Sequence, residues 1–159
     1  MRQITAYPDG TIPPFGSLAT PALIRARILT FEERLAQVDG AKFGDAYPLK
    51  HSFAEGCVMR EIWIPAGEAV VGKIHKHSHP NFLMAGTALV VTEYEVVQKF
   101  TGPLAMISQP GTKRALVALT DVWWIVVHVT DETDLVKIEE AVIATDFPAY
   151  ERYRLALKE

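Results

Sequence analysis

The chain has 159 residues, with 16 Lys plus Arg against 19 Asp plus Glu and a formal net charge of −3. That length fits one domain with a sizeable core, and with no basic stripe the charge pattern does not favour nucleic acid. The most apolar run, Val122 to Val129, is far short of the roughly 20 residues that span a bilayer, so no membrane partner is expected. The N-terminus lacks the apolar core of a signal peptide. Cys57 is the one cysteine, which rules out an intrachain disulfide. The expectation is a cytoplasmic protein with one buried, inert thiol.

Residues 1–20 are rich in turn formers, Pro8, Gly10, Pro13, Pro14 and Gly16, and read as an irregular arm. Thr20-Pro21 reads as an N-cap with proline at the first helical position. Ile24, Ile28, Phe31, Leu35 and Val38 then recur at helical spacing, which predicts one amphipathic helix ending near Gly40. From about Cys57 short strands are expected over 57–64, 69–77, 79–85, 87–93, 96–100, 104–108, 114–119 and 122–129, separated by Gly, Pro and Asp turns. Eight such strands fit a sandwich or small barrel of jelly-roll type. A helical pattern with Leu135, Ile138 and Val142 on one face follows, and a second short helix is expected over 147–157. The whole reads as one structural domain, with an arm and helix over 1–56, a β-barrel over 57–130 and a helical tail over 131–159.

Val122 to Val127 is apolar on both faces. One face fills the barrel, and the other must be covered by the N-terminal helix or by another subunit. A homodimer or higher homo-oligomer is therefore expected. Trp63, Trp123 and Trp124 read as core or interface, and Tyr94 as a hairpin tip.

The chemistry is concentrated in Gly72-Lys73-Ile74-His75-Lys76-His77-Ser78-His79-Pro80, which holds three of the five histidines. Neutral imidazole is the commonest side-chain metal ligand. On an extended strand His75 and His77 share a face roughly 6.6 Å apart, whereas His79 would stand about 13 Å from His75. A turn at Ser78 to Pro80 is needed to bring it back. His128 shares its face with Trp124 and Val126 by strand parity, and that face looks inward. The expected metal ligands are His75, His77, His79 and His128. Lys73 has the parity of the first pair; with Arg114 it would offer two cations to a carboxylate or phosphate. His51 reads as a surface or interface residue.

The segment from Ile62 to Val129 resembles the cupin superfamily. Gly72, the His75-x-His77 pair and Gly86 follow its usual first motif, with His79 where the family usually has glutamate. Gln109-Pro110-Gly111 resembles the proline–glycine turn of its second motif, with Arg114 where a histidine normally follows. The run Arg60 to Gly67 looks like the entry to a small single-domain cupin, and the chain is similar to cupins encoded in bacteriophage and bacterial genomes. The resemblance implies a mainly β jelly-roll barrel and one divalent transition metal, Fe, Ni, Mn or Zn. It also implies a small-molecule ligand, with the reaction unassigned. A non-catalytic ligand-binding or accessory protein is the alternative.

Overall fold

The computed structural model of the protein describes residues 20–42, 47–94 and 97–158. Apart from Thr20, the expected N-terminal arm lies outside the described residues. Thr20 caps α1 (Pro21–Leu35), its side chain accepting from Leu23 N. Ile24 and Ile28 are buried on β-sheet residues Ala115, Val71 and Val91, with Phe31 alongside. The helix stops a turn before the expected end: Val38 is exposed, so no burial favours extending the helical stripe past Leu35. Two ion pairs fasten α1, Arg25 to the buried Glu93 at 3.2 Å and Lys113 to Glu32 at 2.8 Å.

The strands are β1 (Leu49–Ala54), β2 (Cys57–Ile64), β3 (Ala69–Val71), β4 (Ile74–His75), β5 (His79–Ala85), β6 (Thr87–Val91), β7 (Gln98–Thr101), β8 (Leu104–Ser108), β9 (Ala115–Ala118), β10 (Val122–Val129) and β11 (Ile143–Ala144). α2 (Leu135–Val142) precedes β11, and α3 (Phe147–Ala156) follows it. One sheet has the order β1-β2-β10-β5-β8, a second β3-β9-β6-β7, and β4 pairs with β11. All the pairings are antiparallel. The two larger sheets face one another as the walls of a jelly roll, without closing into one continuous ring of hydrogen bonds. Ile64, Leu83, Val122 and Trp124 from the first meet Ala88, Val90 and Ala118 from the second.

β2, β5, β8 and β10 match the expected strands. The single strand expected over 69–77 is instead two, and this matters for the site. Gly72 N donates to Arg114 O at 2.8 Å, after which the chain leaves the β3–β9 ladder. The next strand, β4, is only two residues long and pairs with β11 at Ile143↔His75. β1 and β11 were not foreseen. Cys57 is half-buried rather than buried. Among the described residues no helix is long and apolar enough to cross a membrane.

The C-terminal helices close one end of the barrel. Asp134 and Asp146 cap them, accepting from Val136 N and Ala149 N. Ile138 and Val142 of α2 pack on Val58, while Phe147 and Tyr150 of α3 pack on Ile74.

Candidate metal centre

The register of two neighbouring strands builds most of the site. Asn81 of β5 lies opposite Val126 of β10; two residues further along, the same register sets His79 against His128. Both face inward and are 4 % and 6 % exposed. His75 reaches them from β4. Its backbone is held by Gly111 N, which donates to His75 O at 2.8 Å. Gly111 sits at φ +78°, a left-handed backbone that glycine adopts without steric cost. The proline–glycine turn of residues 109–111 therefore helps to position a histidine on a different strand.

The three rings form one group. His75 lies 4.2 Å from His79 and 4.9 Å from His128 between ring centroids, and His79 lies 4.9 Å from His128. One nitrogen from each falls within 4.8 Å of the others. His79 Nδ1 sits 3.0 Å from the carbonyl of His77. A carbonyl only accepts, so Nδ1 carries the proton and Nε2 keeps its lone pair for a metal. His75 Nδ1 is buried with no hydrogen-bond partner, a condition that costs about 1–3 kcal/mol and that coordination to a metal would relieve. Three neutral imidazoles are a suitable donor set for a divalent transition ion, so the residues present fit one.

His77 does not join this group. β4 ends at His75, the chain bends at Lys76 and His77, and strand parity no longer applies. The exposed His77 turns its Nε2 to Tyr153 OH at 3.3 Å, edge-on to that ring. The expected pair of His75 and His77 is replaced by His75 with His79 and His128. His51 is half-buried and shares a second cavity, about 370 Å³, with Arg60, His128 and residues of α2.

Electrostatics keep the trio neutral. Burial pushes the His75 imidazole down to about 2, with His79, His128, Arg60 and Arg114 adding to the effect. His128 is lowered to about 4, first by burial and then by His79 and Arg60. For His79 burial again dominates, opposed by its bond to the His77 carbonyl. Metal ligation requires this deprotonated form.

Two of the three, His75 and His79, line a cavity of about 220 Å³ together with Ile62, Ile64, Leu116, Trp124 and Arg114. Arg114, half-buried in the wall, donates to Asn81 Oδ1 at 3.3 Å and to Ser108 Oγ. Asn81 Oδ1 also accepts from Trp124 Nε1, while its amide donates to His79 O and Ser108 Oγ. Lys73 lies at the rim, paired with Glu139 of α2. Tyr47, also in the wall, donates to Glu68 at 2.5 Å; burial and that bond push its phenol well above the usual range. Asn81, Ser108 and Tyr47 were not foreseen. For the first two, the available signal was their inward parity on β5 and β8.

The two facing sheets form a jelly roll, with the three histidines on its inward side. No protein-family model and no curated protein matches the chain. Among solved structures it is similar to ectoine synthase from P. lautus, at 12 % identity over 68 % of this chain and 81 % of that one, with a TM-score of 0.50. KdgF from Halomonas sp. is similar at 16 % identity over 63 % and 94 %, TM-score 0.48. A Cupin 2 conserved barrel domain protein from Salinispora arenicola CNS-205 is similar at 14 % identity over 59 % and 86 %, TM-score 0.46. Likeness at these identities is one of fold alone: the chain shares a jelly-roll fold with these structures.

Proposed function

We propose that the chain is a metal-binding cupin in which His75, His79 and His128 hold one divalent transition ion, Fe, Ni, Mn or Zn, beside a cavity for a small polar or anionic molecule. The observation that carries this reading is the convergence of three neutral imidazoles, His79 and His128 buried and His75 half-buried with an unsatisfied nitrogen, two of them in the wall of that cavity. A bound ion would supply Lewis-acid polarisation of a ligand oxygen. The ligand set contains no carboxylate, so the ion's charge is not cancelled and an anionic ligand is favoured. Arg114, held in the wall by Asn81 and Ser108, orients such a group; Lys73 stands beside the cavity with its charge balanced by Glu139. The apolar wall accepts the rest of the molecule and excludes water.

The alternative is a non-catalytic ligand-binding or accessory protein. Tyr47 favours it: the phenol in the cavity wall is bonded to Glu68 and keeps its proton, leaving it poorly suited to act as a base.

Metal analysis of protein purified without a histidine tag, then reconstituted with each ion, tests the proposal. The expected result is about one ion per chain. His79→Ala or His128→Ala should weaken binding by more than the roughly 10–100-fold caused by removing a hydrogen-bond partner of a ligand. His77→Ala should retain the metal. A ratio near zero after reconstitution overturns the reading, and loss of metal only in His77→Ala overturns the assignment of ligands. Calorimetric titration with small carboxylates and their neutral amides, in wild type and Arg114→Gln, tests the preference for anions.

A further inference from the structure

A second cavity, larger than the first at about 370 Å³, lies between α2 and the inward face of β1, β2 and β10. Strand register sets its floor. His51 of β1 stands directly opposite Arg60 of β2. Val58, two residues before Arg60, stands opposite His128 of β10. Strand parity turns these four side chains to one side, and all four line the cavity. The facing wall is α2. Its Ile138 and Val142, four residues apart on one helix face, pack on Val58. Leu135 and Val136 in its first turn stay 42 % and 67 % exposed, and Glu139 and Glu140 bring acidic side chains to the same cavity.

Charge limits what such a cavity can take. The guanidinium of Arg60 belongs to the sheet, and the two carboxylates belong to the helix. Glu139 is paired with Lys73, which leaves Glu140 as the acidic group for an occupant. A purely anionic molecule would meet Glu140, and a purely cationic one would meet Arg60; like charges set side by side are strongly disfavoured. A zwitterion satisfies both walls. Beyond these groups and the two histidines the lining is aliphatic, Val58 and Leu135 included, so the rest of the molecule is apolar. An ammonium, a carboxylate and an aliphatic body together describe a free amino acid. Size agrees, because at about 30 Å³ per water the cavity has room for about twelve waters. It also falls within the range of about 300–1,000 Å³ typical of ligand pockets.

We infer that the second cavity binds a free amino acid with an aliphatic side chain. Its carboxylate meets Arg60 and His51, its ammonium meets Glu140, and its side chain covers Leu135, Val136 and Val58. The inference stands apart from the metal reading, since none of these contacts needs an ion.

Calorimetric titration of the full chain with L-leucine, after chelator treatment and again after metal reconstitution, tests this. One molecule per chain is expected in both preparations. Isocaproate, which lacks the ammonium, and isoamylamine, which lacks the carboxylate, should each bind at least about tenfold more weakly, the scale of a lost hydrogen bond to a charged group. Arg60 lines both cavities, so the variants are placed on α2, at exposed positions. Glu140→Gln should lower the affinity about tenfold or more, and Leu135→Trp, which fills the apolar side, should abolish binding, with unchanged far-UV circular dichroism in both. If Leu135→Trp fails to fold, Glu140→Gln decides alone. No binding at about 10 mM L-leucine, weaker than the millimolar range, overturns the inference. Binding seen only after reconstitution is chelation of the ion, and it overturns the inference while leaving the metal reading intact. Isocaproate binding as tightly as L-leucine, or a folded Glu140→Gln of unchanged affinity, overturns it as well.

Discussion

At the scale of single residues, Asn81 organises more of the site than any histidine. It is fully buried, and its amide bonds His79, Ser108, Trp124 and Arg114 together. Asn81→Leu preserves the volume but leaves the Trp124 and Arg114 donors facing an apolar group. Each buried donor so stranded costs about 1–3 kcal/mol, so urea denaturation should show a loss of about 2–4 kcal/mol; a loss below about 1 kcal/mol would mean that water replaces the amide. Asn81 is hard to recognise in the sequence because a buried polar residue on a strand looks like any outward one until its partners are known. The histidines were legible as a cluster, but not their membership. Strand parity grouped His77 with His75 and fails because β4 stops at His75. Linking His79 to His128 needed the pairing of β5 with β10, a contact between residues far apart in the chain.

At the scale of elements, strands bounded by clear turn residues were legible to the residue, as in β2, which ends before Pro65-Ala66-Gly67, and β10, which starts after Thr120-Asp121. β1 was not, because Leu49-Lys50-His51-Ser52-Phe53-Ala54 carries no clean period and becomes a strand by pairing with β2. β10 shows how one strand serves two environments: Trp124, Val126 and His128 point inward, while Trp123, Ile125 and Val127 point outward. The turn at Gly111 links two elements. An added Cβ there meets the ring of Tyr150 on α3, and the left-handed backbone costs a non-glycine residue about 1–2 kcal/mol. Gly111→Ala should therefore destabilise by at least that amount, read as a lower urea midpoint. Metal affinity should fall with it, because the Gly111 amide holds His75. Unchanged stability and affinity would show that the turn relaxes freely.

At the scale of the whole molecule, the trio makes the metal-free protein acid-sensitive. In the unfolded chain these imidazoles titrate near 6.5, whereas in the fold His128 is held to about 4 and His75 to about 2. As pH falls below 6.5 the unfolded state takes up protons that the folded state refuses, so stability is complete above 6.5 and drains away on acidification. The thermal midpoint of chelator-treated protein should drop between pH 6.5 and 4, and less steeply in His128→Gln. A midpoint flat across that range in wild type would contradict the burial of the trio.

The three histidines also come from three separate strands, and the chain between His79 and His128 runs through β6, β7, β8 and β9 before it returns. An ion shared by β4, β5 and β10 would be a removable staple, tying distant stretches of backbone that an unfolded chain has no means of holding together. Its stabilisation grows with the logarithm of free metal concentration. The heat tolerance of this protein would then follow the metal supply of its surroundings.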